Sequence, residues 1–277
     1  MRRPESRQLT RTNEGVKKMQ LMRRAALDGV QLDSLDERII IQSIEPAAGK
    51  DTLNAVSLGG ADGSRLTGKH RDWLDVNIKI TINEKSYHPA QRDAVLDKVR
   101  AWAAKGGVLT VNYKEGKQLS VICAQQPAEG DLASRGGYTI TLRALAVPYW
   151  EATQAKSVTL TQDDEGEGAL SLNGSAKTIG EVTVQNKSGD TLQTLAITVN
   201  GREMAFTGLG LANNGYLVID HVQAGGRLVK RARIGQSSVL DKLEGADEFI
   251  LEPGSNSISY EAGGDVIVTV SAKERWE

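Results

Sequence analysis

Leu74-Asp-Val-Asn-Ile-Lys-Ile-Thr-Ile82 alternates apolar and polar residues without a fault. Leu74, Val76, Ile78, Ile80 and Ile82 fall on one side, and Asp75, Asn77, Lys79 and Thr81 on the other. Successive side chains leave opposite faces of a pleated strand, so period 2 over nine residues predicts a half-buried β-strand. The polar face is then either exposed or held against a neighbour.

Strand signals surround this run. Arg38–Ile44 and Leu53–Leu58 precede it. Val108–Tyr113 and Gln118–Cys123 flank Lys114-Glu-Gly-Lys117 and read as a hairpin, and Tyr138–Val147 follows. One segment has the other period: Val95, Leu96, Val99, Trp102 and Ala103 repeat at helical spacing between Pro89 and Lys105. Proline suits a first helical turn, where its missing N–H costs nothing, and Gly106-Gly107 supplies a left-handed stop. The apolar stripe predicts an amphipathic helix packed on a sheet.

After Pro148-Tyr149-Trp150 the helical period disappears. Short strands fit Ile179–Gln185, Thr194–Val199, Glu203–Thr207, Tyr216–Asp220, Arg227–Arg233, Phe249–Leu251, Ser257–Glu261 and Asp265–Ala272. Asn200-Gly201 and Asn214-Gly215 are the dipeptides of primed hairpin turns. Many short strands at regular spacing predict a β-sandwich. The fold class is therefore mainly β. A basic arm spans 1–18, a β domain with one helix (about 89–105) spans 19–150, and a sandwich spans 151–277.

Composition narrows the function. The chain has 277 residues, 34 Lys+Arg against 35 Asp+Glu, one cysteine and three histidines. A net charge of −1 excludes a globally basic nucleic-acid coat. Cys123 alone excludes an intrachain disulfide framework and every cysteine-rich zinc site. No apolar run approaches the ~20 residues of a membrane-spanning helix, and the Arg-rich start lacks the apolar core of a secretory signal.

The charge is unevenly placed. Residues 1–25 carry eight basic residues against Glu5 and Glu14, a balance of +6 that leaves −7 for the rest. Arg2, Arg3, Arg7, Arg11, Lys17 and Lys18 form a candidate partner-docking arm that meets an acidic surface or follows nucleic acid. A solvated terminus, or a natural start at Met19 or Met22, reads equally from the same residues.

The search for chemistry returns little. There is no phosphate loop, no Gly-x-Ser-x-Gly elbow and no His-Glu-x-x-His helix. Gly59-Gly-Ala-Asp-Gly63 leads into Arg65-Leu-Thr-Gly68 and reads as a surface loop. His70, His88 and His221 each lie near a carboxylate in sequence, as in Asp220-His221, but catalytic partners must meet in space. Asp163, Asp164, Glu165 and Glu167 lack the ligand spacing of a calcium loop. Cys123 reads as a small hydrophobe within a strand. No catalytic, cofactor-binding or metal site is expected, and a structural or binding role is. The alternative is a carbohydrate-binding adhesion module, for which Phe206, Tyr216, Phe249, Tyr260 and Trp276 are the aromatics available in the sandwich.

The order of elements resembles the distal tail proteins of long, flexible-tailed bacteriophages and prophages. Arg71-Asp-Trp73 leads into the alternating strand, then the helix, then the hairpin, and the first domain closes on Val147-Pro-Tyr-Trp150. Val147 stands where the family usually has an acidic residue or Asn. The second domain offers Tyr216-Leu-Val-Ile-Asp220, then Leu251-Glu-Pro-Gly-Ser-Asn-Ser-Ile-Ser-Tyr260, and ends in Asp265-Val-Ile-Val-Thr-Val270 and Arg275-Trp276. The resemblance covers about residues 20–277. It implies a ring-forming first domain and a galectin-like second one. It further implies a homo-hexamer that joins the tail tube protein to a tail-tip hub, with the tape measure and receptor-binding proteins as further partners. DNA would cross the lumen without sequence-specific binding. The protein would reside in the virion tail tip and, during assembly, in the host cytoplasm, with no membrane contact. Asp75, Asn77, Lys79 and Thr81 are then candidates for the lumen or a subunit contact.

Overall fold

The computed structural model describes residues 23–46, 49–57, 64–83, 89–129, 137–224, 227–246 and 248–277. The alternating run is the second half of a 19-residue strand, Ser64–Ile82. Leu74, Val76, Ile78, Ile80 and Ile82 are all buried, as the period requires. This half lies between Ile39–Pro46 and Gly137–Ala144, antiparallel to both. Its first half pairs instead with Lys50–Ser57.

The sheet continues from Gly137–Ala144 through Lys117–Glu129, Gly107–Val111 and Ala25–Leu27 to Val30–Gln31. The helix Pro89–Lys105 packs on it through Val95, Leu96, Val99, Trp102 and Ala103, which join the apolar cluster of the strands. The Trp102 indole N–H donates to the Val30 carbonyl at 2.9 Å, so its polar atom is satisfied as its rings are buried. Gly106 and Gly107 have φ of +60° and +118°, the conformation that stops the helix. At Gly107 a Cβ would also strike the carboxylate of Asp28, whose Oδ1 accepts the Val108 N–H.

A second apolar cluster runs from Leu160 to Ala272. It is shared by a six-stranded sheet, containing Glu181–Asn186, Tyr216–Ala224 and Val266–Ala272, and a five-stranded one, containing Leu192–Val199, Arg202–Leu211 and Gly254–Ala262. Val184, Leu217 and Val268 face Ile197, Phe206 and Ile258 across this core, so the two sheets form a sandwich.

Several boundaries depart from the sequence reading. The strand expected over Tyr138–Val147 ends at Ala144, and the chain turns before Pro148. The strand expected over Ile179–Gln185 breaks at Gly180. Thr178–Ile179 pairs with Ile250–Leu251, while Glu181–Asn186 enters the six-stranded sheet. Gly180 allows the break because it packs on Leu251 and Phe249, with its N–H on the Phe249 carbonyl. Asn200-Gly201 makes the expected two-residue hairpin, with Val199 opposite Arg202 and both turn residues at positive φ. Asn214-Gly215 does not. Only Asn214 is left-handed there, and the turn carries the chain from one sheet to the other.

Two further strands, Lys156–Leu160 and Glu167–Leu172, occupy polar sequence the alternation did not flag. Arg275–Trp276 leaves the sandwich and pairs with Trp150–Glu151, which belongs to the first sheet. Arg275 binds Glu151 at 2.9 Å, and the Lys117 ammonium lies 3.9 Å from the Trp276 ring centre.

Candidate assembly surfaces

The polar face of the long strand is a ladder of cross-strand pairs. Asp75 accepts two bonds from Arg143, at 2.6 and 2.7 Å. Asn77 accepts from the Thr141 hydroxyl at 2.9 Å. The Lys79 ammonium reaches the Glu45 carboxylate at 3.1 Å. Thr81 stands between Ile40 and Gly137 in the register. The four residues share one face. Arg143 and Thr141 stand directly opposite Asp75 and Asn77 in the register, while Glu45, opposite Asn77, meets Lys79 on the diagonal.

Electrostatics follow the geometry. The Asp75 hydrogen bonds hold the Arg143 guanidinium above its ordinary value. The neighbouring Ser43 hydroxyl and then the Lys79 ammonium lower the Glu45 carboxyl. Trp73, in phase with Asp75, extends the face. Its ring lies 4.8 Å from the Arg143 guanidinium and 4.5 Å from the Lys50 ammonium, an arrangement that holds cations by the ring quadrupole.

Beyond Trp73 the strand leaves the sheet. Ser64–Ile82 and Lys50–Ser57 continue as a two-stranded ribbon, and among the described residues the ribbon pairs with no other strand. Leu53 stands 61% exposed on it. Arg71 binds Asp51 at 3.1 Å, and the Thr52 hydroxyl donates to Asp72 at 2.6 Å, so polar pairs fasten its root. An isolated two-stranded ribbon is marginally stable in water. Ile39–Pro46 forms the edge of the main sheet, with Ile40 43% exposed. The sequence reading placed a strand over Leu53–Leu58, one side of the ribbon, but found neither its partner nor the Arg143 ladder. Arg65-Leu-Thr-Gly-Lys-His-Arg71 does not alternate, and a partner 68 residues away is set by register alone.

The residues screened for chemistry are dispersed. The Asp220 carboxylate is held by Arg231 at 2.8 and 2.6 Å, while His221 points to the other side of the strand, 3.8 Å from Glu248. Adjacency in sequence is thus separation in space. Burial raises the Cys123 thiol above its ordinary value, which makes it a poor nucleophile at neutral pH. Among the described residues no three His, Cys, Asp or Glu side chains group to hold a metal ion. Phe206 and Phe249 are core residues, Tyr260 packs on the same core, and Trp276 lies on the first sheet; of the five sandwich aromatics named, Tyr216 is exposed. The arm residues Arg2, Arg3, Arg7, Arg11, Lys17 and Lys18, the loop 59–63 and His88 lie outside the described residues.

Comparison with solved structures gives the architecture a precedent. The Dit (gp 19.1) protein of phage SPP1, described as a paradigm of the hub adsorption apparatus in phages infecting Gram-positive bacteria, superposes with a TM-score of 0.66. The match covers 91% of this chain and 98% of that one. The chain has the fold of a phage Dit hub protein. Sequence identity is 11%, so the likeness lies in the order and packing of elements rather than in shared side chains. Two structures of the phage P2 baseplate, in its activated conformation with Ca and with Sr, align over the same shares at 10% identity. Their TM-scores are 0.39 and 0.40, below what supports a fold assignment. No family model and no curated protein matches the sequence.

Proposed function

We propose that this chain is a structural distal tail protein of a long-tailed bacteriophage or prophage. Six copies form a ring that joins the tail tube to the tail-tip hub or baseplate. The observation that carries this reading is the likeness to SPP1 Dit, which extends over 91% of this chain and 98% of that one.

The physics of the first domain supports it. A ring needs one face of a protomer to meet a different face of the next. The edge strand Ile39–Pro46 and the ribbon offer unpaired backbone groups to such a neighbour. Exposed Ile40 and Leu53 supply apolar area at those edges. The Asp75–Asn77–Lys79–Thr81 face then lies at the lumen or at a subunit contact. The −7 balance of the body beyond residue 25 repels DNA phosphate across a screened gap, which favours passage over retention. The tail tube protein and the hub are the partners on the two ring faces, with tape measure and receptor-binding proteins further out. The working place is the virion tail tip, reached by assembly in the host cytoplasm. The role is mechanical, without catalysis.

The test is the mass of the purified protein by light scattering after size exclusion, with negative-stain imaging. A ring near six times 29.8 kDa is expected, and replacing Ile40 and Leu53 by Asp should return it to monomers. A species that stays monomeric when mixed with its tube and hub partners, and that binds a glycan, would overturn the reading in favour of an adhesion module.

A further inference from the structure

A cleft of about 300 Å³ lies between the first sheet and the sandwich. Val108, Gln118 and Ser120 line it from the first sheet, and Ile179, His221 and Ser271 from the sandwich. The strand pairing of Arg275–Trp276 with Trp150–Glu151 of the first sheet lies at its side, where Arg275 and Glu151 also contribute to the wall.

His221 is the anomaly of this cleft. It is in phase with the core residues Leu217 and Ile219, at the end of the strand where the core stops. Its side chain is 7% exposed, and both ring nitrogens are buried without a hydrogen bond. A buried polar group left without a partner is costly, so its presence in a native fold needs a reason. Its charged surroundings are mixed. Glu248 lies 3.8 Å away. Glu181 on the neighbouring strand and Asp220 on its own favour a proton, while Lys230 on the paired strand opposes one. Asp220 is already bound to Arg231 and Arg233, so Glu248 is the carboxylate within reach of an ion pair.

We propose that this cleft is an acid-responsive hinge: a proton on His221 opens the contact between sandwich and first sheet, with Arg275–Trp276 as the tether that limits the movement. The imidazole is at home in the closed cleft while neutral. Burial holds its proton affinity below the ordinary value of 6.5, with Glu248 the main opposing influence. Charged, it needs water or a carboxylate, and in the closed cleft, whose other charged lining groups are Glu151, Glu181, Lys273 and Arg275, Glu248 at 3.8 Å is the carboxylate near enough to pair. Opening hydrates it. Because the folded state holds the proton less tightly than the open or unfolded one, closure is favoured above about pH 6.5 and weakens as the pH falls.

The experiment is hydrogen exchange on the full chain at about pH 7.5 and about pH 5, with labelling times scaled for the intrinsic rate and oligomeric state checked by light scattering at each pH. Segments 107–121 and 271–276 should lose protection on acidification, by roughly tenfold in rate. The His221→Gln variant should show no such loss. An equal acid response in that variant, or none in the unaltered chain, overturns the proposal. Should His221→Gln fail to fold, His70→Gln/His88→Gln leaves His221 as the single histidine for NMR titration. Ring titration below 6.5 that tracks amide changes in the two segments supports the hinge, and titration without them refutes it.

Discussion

Arg143 lays two guanidinium nitrogens on the two carboxylate oxygens of Asp75, at 2.6 and 2.7 Å, across a register pair in the middle of the first sheet. The pair turns a sequence pattern into a fixed alignment of two strands. A fork-to-fork match has one good geometry, so a slip of the register breaks it.

Arg143→Lys keeps the charge and loses the fork. The pair is partly exposed and therefore screened, so a loss of about 1 kcal/mol is expected from Arg143→Lys and about 2 kcal/mol from Arg143→Ala. Urea unfolding measures both. Equal midpoints for the unaltered chain and Arg143→Ala would show that the pair adds nothing to stability.

Asn256 ties together the turn Pro253-Gly-Ser-Asn256 that leads into a sandwich strand. The side chain is fully buried. Its amide donates to the carbonyls of Leu170, Glu252 and Gly254, and its oxygen accepts from the Glu252 N–H and the Asn200 amide. Asn256→Ala orphans several buried groups at once, and a loss of about 2–4 kcal/mol is expected. Asn256→Asp should cost at least as much at neutral pH, because a carboxylate would face three carbonyl oxygens. Thermal unfolding of the two variants checks the order.

Asp36 predicts the acid limb of stability. Its carboxylate, 9% exposed, accepts from the Arg38 guanidinium at 2.8 and 3.1 Å and from Lys98 at 3.0 Å. The Arg38 hydrogen bonds hold the carboxyl far below the usual carboxylate range. A lowered folded value means stability that is present above about 3.8 and is lost as pH falls through and below it. Asp36→Asn should therefore cost about 1–2 kcal/mol at neutral pH and flatten the decline between about pH 5 and about pH 2. Parallel pH profiles for the two proteins would show that another carboxylate sets the limb.

What the sequence revealed divides along physical lines. Leu74–Ile82 and Pro89–Lys105 were legible because burial imposes a period on neighbouring residues, and the structure buries the residues that period selects. The ribbon was legible in part: Leu53–Leu58 signals one of its strands, while Arg65-Leu-Thr-Gly-Lys-His-Arg71 opposite carries no period. The ends of strands were blurred where the chain changes sheets, as at Gly180 and Asn214, since the turn chemistry is the same whichever sheet comes next. The partners of the polar face were invisible for a different cause. Arg143, Thr141 and Glu45 reach Asp75, Asn77 and Lys79 through pairing register, which no local pattern encodes.

The pairing of Arg275–Trp276 with Trp150–Glu151 also orders events during synthesis. The first sheet comes off the ribosome early but lacks its closing strand until every residue of the sandwich has been made. Trp150 waits that long for its partner Trp276. A chain halted inside the sandwich thus carries an unfinished sheet as well as an unfinished sandwich. The last pairing of the first sheet and the closing of the sandwich therefore both wait on residues 266–276.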